Sequence, residues 1–119
     1  MGLHWLISAL FMVLSNSEIV FPEGRNYDFG KTAQNVEVFH EFPIENTSSR
    51  KIRIVEVSTA CGCTAVEFPK ELSAGEKGKI KVKFDAKSLG TFKKHMLVIT
   101  TCKDQVHKLM ISGEVVLKN

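Results

Sequence analysis

Lys79-Ile80-Lys81-Val82-Lys83-Phe84-Asp85 decides the fold, because apolar and charged residues alternate there without a break. Successive side chains of an extended strand point to opposite sides, so a period of two marks a strand with one face buried. Ile80, Val82 and Phe84 therefore belong to a core, and Lys79, Lys81 and Lys83 to solvent. A helix would spread both sets around its circumference.

The same period continues on either side of this stretch. Val36, Val38, His40, Phe42 and Ile44 share one face of a second strand, and Glu37, Phe39 and Glu41 take the other. In Ile52 to Thr59 the parity changes, with Ile52 and Ile54 on one side and Val55 and Val57 on the other. That pattern predicts a bulge or a strand covered on both faces, and a central strand is the better fit. Thr91 to Thr101 and Val106 to Leu117 are the longest strand candidates, and Cys102, Lys103 and Asp104 join them as a hairpin. Gly24, Gly30, Asn46-Thr47-Ser48-Ser49, Gly75 to Gly78 and Ser88-Leu89-Gly90 punctuate the runs. Short strands at such intervals predict an all-β sandwich or barrel.

The 119 residues suit one domain, and 44% hydrophobic with 24% charged residues is a globular composition. A net charge of +3 is too modest to announce a nucleic-acid binder. Trp5 to Leu14 is an apolar run about half as long as the roughly 20 residues a membrane-spanning helix needs. Ser15-Asn16-Ser17 follows with the small-x-small pattern of a cleavage site, and Glu18 opens the charged part of the chain. These features predict a signal peptide over 1–17, cleavage after Ser17, and a single domain over 18–119. The mature protein is then exported, periplasmic or extracellular, with no stable membrane anchor.

Five elements carry a resemblance: Tyr27-Asp28-Phe29-Gly30, Phe42-x-Ile44-x-Asn46, Cys61-Gly62-Cys63-Thr64, Gly75-Glu76-x-Gly78-x-Ile80 and Ile111-Ser112-Gly113-Glu114-Val115. Together they resemble the bacterial DUF1573 family, a domain of unknown function, over nearly all of Tyr27 to Val116. The resemblance implies an exported immunoglobulin-like antiparallel β-sandwich of about seven strands, related in architecture to ASH and major-sperm-protein-like domains. Ala60, Ser48 and Ala74 depart from the family's usual serine, glycine and proline.

No nucleophile elbow, phosphate-cradling glycine loop or dinucleotide fingerprint occurs, so the chain reads as a non-enzyme that docks an unidentified protein partner. The lysines of 79–83, with Lys93 and Lys94 nearby in sequence, form a candidate polyanion face. They also match the solvated side of a half-buried strand, which is the commoner situation, and no aromatic residues interleave them for base stacking. His40, His95 and His107 are candidate bases or metal ligands, each weak alone, and His40, whose parity mates are core residues, reads as a partly buried, hydrogen-bonded imidazole.

Cys61-Gly62-Cys63 is where chemistry is most concentrated. In an extended chain the two Cα atoms lie about 6.6 Å apart with side chains on one face, which favours two thiols over a strained disulfide. The alternative function is a periplasmic redox or soft-metal protein centred on Cys61 and Cys63: were His95 brought alongside, Cys61, Cys63 and His95 would offer a site for Cu(I) or Zn(II). Otherwise no cofactor is expected, and the cysteines are small packing residues. Cys102 is expected at the opposite end of the sheet. Asn46-Thr47-Ser48 is formally an N-glycosylation acceptor.

Overall fold

The structure, a computed structural model, describes residues 18–102 and 105–118. The proposed signal peptide lies outside the described residues. Nine strands follow in chain order: β1 (Ile19–Val20), β2 (Asn26–Ala33), β3 (Val38–Asn46), β4 (Ile52–Thr59), β5 (Cys63–Glu67), β6 (Glu71–Leu72), β7 (Lys77–Phe84), β8 (Gly90–Thr100) and β9 (Val106–Val116). β1 and β6 are two residues long, and the other seven form the body of the sandwich. One sheet has the order β1-β3-β7-β5 and the other β2-β9-β8-β4-β6.

The alternation that marked β7 is realised residue by residue. Ile80, Val82 and Phe84 are buried, and His40, Phe42 and Ile44 of β3 stand opposite Val82, Ile80 and Gly78. Against them pack Ile52 and Ile54 of β4, Met96 and Val98 of β8, and Leu109 and Ile111 of β9, all buried. Each such side chain removed from water stabilises the fold by roughly 1.5–3 kcal/mol. The arrangement is an immunoglobulin-like β-sandwich.

Three details differ from the sequence expectation. The sandwich is not wholly antiparallel, because β2 runs parallel to β9. β4 is not covered on both faces: its register shifts between Ile54 and Glu56, and Val55 is 64% exposed. The parity change is thus the bulge, with Val57 returned to the core side afterwards. Lys93 and Lys94 do not extend the lysine stripe, since they lie on β8 in the other sheet.

A second bulge falls between Ala65 and Glu67 of β5 and leaves Val66 47% exposed. Bulges of this kind twist strand edges away from further pairing. The β8–β9 hairpin, in contrast, keeps an unbroken register from Gly90 opposite Val115 to Ile99 opposite Val106. Its two strands diverge from their other neighbour at different points. β4 ends at Thr59, opposite Met96, and crosses to the facing sheet as β5.

Candidate functional site

The crossing from β4 to β5 is made by Ala60-Cys61-Gly62-Cys63. The Cys63 N–H donates to the Ala60 carbonyl at 3.0 Å, closing a β-turn with Gly62 at φ +86°. Positive φ at the third position of a turn is the type II geometry, which Gly meets without steric cost. A Cβ on Gly62 would also stand 3.2 Å from Asp85 Oδ1 and 3.4 Å from Phe84 Cε1. The segment is therefore folded back, not extended, and its two thiols part: Cys61 is exposed and Cys63 is buried.

A second crossing runs beside the first, from β7 to β8. The Asp85 N–H donates to the Gly62 carbonyl at 3.0 Å and ties the two together. Asp85 Oδ1 in turn accepts the Lys87 N–H, and the carbonyl of buried Ala86 accepts the Asn35 N–H. Between the two crossings lies a groove of about 380 Å³. Phe84 and Phe92, stacked with centroids 4.2 Å apart, lie in its wall with Leu89, which is 51% exposed. Cys61, Thr91, Ser88 and the lysines Lys87, Lys93 and Lys94 complete it, with Asp85 as the one carboxylate among its lining residues.

Lys94 occupies an unusual place. Phe92, Lys94, Met96 and Val98 share the inward parity of β8, so a cation stands where the pattern calls for an apolar residue. Among the described residues, the ion pairs are Arg50–Glu18, Lys51–Glu71, Lys79–Glu41 and Lys83–Glu37, and none takes Lys87, Lys93 or Lys94. Lys94 also acts on Cys63. Burial pushes that thiol up to about 11, against the lowering effect of Lys94. A thiol so held stays protonated and is a poor nucleophile or metal ligand at neutral pH.

The three residues anticipated as metal ligands do not converge. β4 and β8 do run antiparallel, which brings the His95 region toward the turn, but His95 is exposed and alternates with buried Met96. Among the described residues no group of three His, Cys, Asp or Glu side chains is placed to hold a metal ion.

Cys102 lies at the far end of the sheet, beyond Thr100, which stands opposite Ile54. Its Sγ is 2.8 Å from Thr100 Oγ1 and 3.5 Å from His107 Nε2, in the buried interior. His40 is part-buried and stacked on Tyr27 at 3.7 Å, with the edge of Phe42 at 4.6 Å. Burial lowers its pKa, against the raising influence of Glu23 and Glu41.

Sequence reasoning took Cys61-Gly62-Cys63 as extended and so missed the turn, and it named Lys93 and Lys94 only as sequence neighbours of the β7 lysines and not as lining residues of a groove. The signal was present in the inward parity of Lys94, read from Phe92, Met96 and Val98 on the same strand. The role of Lys87 was not legible, since it depends on how two loops cross.

The fold is similar to that of a protein of unknown function from Porphyromonas gingivalis W83, with a TM-score of 0.71 and 14% identity over 84% of this chain and 50% of that one. The chain thus spans half the length of that protein. It is also similar to the ASH / PapD-like domain 7 of human CEP192, with a TM-score of 0.73 and 10% identity over 86% and 87% of the two chains. The VesB protease of Vibrio cholerae aligns with a TM-score of 0.65 and 10% identity, over 96% of this chain and 34% of the protease. At these identities the likeness is one of fold alone. No curated protein matches the chain in sequence. Residues 20–115 match the family described as "Protein of unknown function (DUF1573)".

Proposed function

The chain belongs to the DUF1573 family, and from that premise we propose that it is an exported, non-enzymatic binding module that docks a protein partner in the groove between its two crossings. The observation that carries this reading is the set of cations Lys87, Lys93 and Lys94, free of ion pairs among the described residues, beside the apolar wall of Phe84, Phe92 and Leu89. Charge left uncompensated by the chain itself is available to a ligand, and it steers encounter. The groove is also fixed in advance, because the Gly62–Asp85 and Ala86–Asn35 backbone bonds hold both of its sides. Preorganisation lowers the ordering cost of binding.

A catalytic reading has less support. The thiol–imidazole contact of Cys102 with His107 is sealed at 2% and 3% exposure, out of reach of a substrate.

Cys61 supplies the test, as an exposed thiol at the groove that can carry a photo-crosslinker. In the native compartment a label at Cys61 is expected to yield a discrete adduct that weakens in the Lys93→Gln, Lys94→Gln chain. The same label at Lys79→Cys, with Cys61→Ser, is expected to yield none. Equal capture from both positions would end the groove reading. Export is tested by amino-terminal sequencing of protein from the native host, which is expected to begin at Glu18; an intact Met1 on the mature protein would refute it.

A further inference from the structure

The groove exposes backbone as well as side chains. From Gly90 to His95, β8 pairs with β9 on one side. On its other side the last partner is Thr59, opposite Met96, after which β4 leaves the sheet. None of the turn and loop backbone hydrogen bonds among the described residues involves Gly90–His95. This is six residues of strand edge, regular once past Gly90 at φ +112°, about 20 Å at the rise of a strand, and the groove is lined by its Thr91, Phe92, Lys93 and Lys94. β4 and β5 carry bulges at Val55 and Val66 in their pairings with β8 and β7, whereas Gly90–His95 pairs with β9 without one.

We infer that the ligand of the groove is an extended acidic peptide segment of a partner protein, which adds as a strand to the Gly90–His95 edge in the place β4 vacates. This rests on the groove reading and names its occupant. Main-chain hydrogen bonds supply sequence-independent affinity in such additions, and pockets for alternate side chains supply selection. Here the selection is for carboxylates beside Lys93, Lys94 and Lys87, with an apolar side chain directed toward Phe92 and Leu89. Nucleic acid fits less well, because the rings in the groove wall are not exposed as stacking platforms: Phe84 is 5% exposed and Phe92 only partly so.

The experiment titrates the full chain, labelled with 15N, with an end-capped octapeptide alternating glutamate and valine. Shift changes and slowed hydrogen exchange are expected at the amides of Gly90–His95. The Lys93→Gln, Lys94→Gln double variant should bind about tenfold more weakly, as one exposed and one partly buried ion pair imply. Lys93→Gln alone should fall between. Lys79→Gln with Lys81→Gln should bind as the parent does. A peptide with every backbone nitrogen methylated keeps every side-chain charge but has no N–H on either edge to pair with a strand, so its binding should be lost.

Undiminished binding of the methylated peptide would overturn strand addition, and shifts centred on β7 would overturn the site. A dimer that protects the same amides without peptide would replace the occupant with a second copy of the chain. If the octapeptide fails to bind while the Cys61 crosslink persists, the acidic-strand inference falls and the groove reading stands.

Discussion

Two groups of lysines on this sandwich have opposite surroundings. On β7, Lys79 and Lys83 face Glu41 and Glu37, 3.9 and 3.1 Å away, and Lys81 lies 5.3 Å from the centre of the Phe39 ring. Strand pairing puts these acids and the aromatic ring beside the basic stripe, since β3 runs antiparallel to β7. On β8 and in the loop before it, Lys87, Lys93 and Lys94 meet no such acids, because β4 has turned away. The lesson is that a lysine's availability is set by the neighbouring strand and not by the density of lysines along its own. The more conspicuous stripe in the sequence is the one already neutralised.

Phe84 serves both regions, as the last inward residue of β7 and part of the groove wall, and its loss is the largest effect expected. Phe84→Ala should cost about 3–5 kcal/mol in urea melts through lost burial and the cavity left against Phe92. A cost no larger than that of changing a β7 lysine would break the division of β7 into inner and outer faces.

Gly62→Ala tests whether the groove side is held by its turn. At φ +86°, with Asp85 Oδ1 at 3.2 Å from the new Cβ, the change should cost about 1–3 kcal/mol. It should also raise the reactivity of Cys63 toward a maleimide. Unaltered stability would mean that the turn is not a fixed wall.

The alkaline limb of stability distinguishes the two ends of Cys61-Gly62-Cys63. An unfolded chain ionises Cys63 near the ordinary value of 9.0, whereas burial keeps the folded thiol protonated up to about 11. The folded state's advantage is therefore intact below about pH 9 and declines as pH rises from there to about 11. Melts across that range should show a shallower decline for Cys63→Val than for the parent or for Cys61→Ser. Identical slopes would place Cys63 in water.

The smallest effect belongs to the stripe. Lys81→Ala should change stability by no more than about 0.5 kcal/mol, since its side chain rests on an exposed ring and a solvated face. A larger loss in the same melts would give the β7 stripe a structural role that the comparison denies it.

Legibility in the sequence followed the range of the interactions. The inner and outer faces of β3 and β7, and the β8–β9 hairpin, are set by period-two patterning and could be read directly. In Ile52 to Thr59 the parity change was visible, but burial on both faces and a bulge write the same letters. Only the pairing with β8, whose register shifts between Ile54 and Glu56, separates them. Gly62 marked where the backbone could bend, yet the segment was read as extended, because the turn and the direction of each thiol depend on φ at Gly62 and on the pairing of Cys63 with Phe84. The groove needs β4 to leave β8 and two crossings to run side by side, a fact of topology that no local pattern encodes.

Asn46 carries a consequence for making the protein. Its side-chain Nδ2 donates to the carbonyls of Arg50, Leu72 and Ser73 at 2.8, 2.9 and 3.0 Å, its Oδ1 accepts from the Ser48 N–H and hydroxyl, and the residue is 0% exposed. The nitrogen that the Asn46-Thr47-Ser48 acceptor pattern would offer to a sugar is thus fully engaged once the chain has folded. A glycosylating secretory host can reach it only in the interval between translocation and folding. A glycan added then would remove a donor from the junction of three segments and leave a bulky group where the sandwich must close, so yield from such a host should be a race between transferase and folding, which Asn46 loses whenever the sugar arrives first.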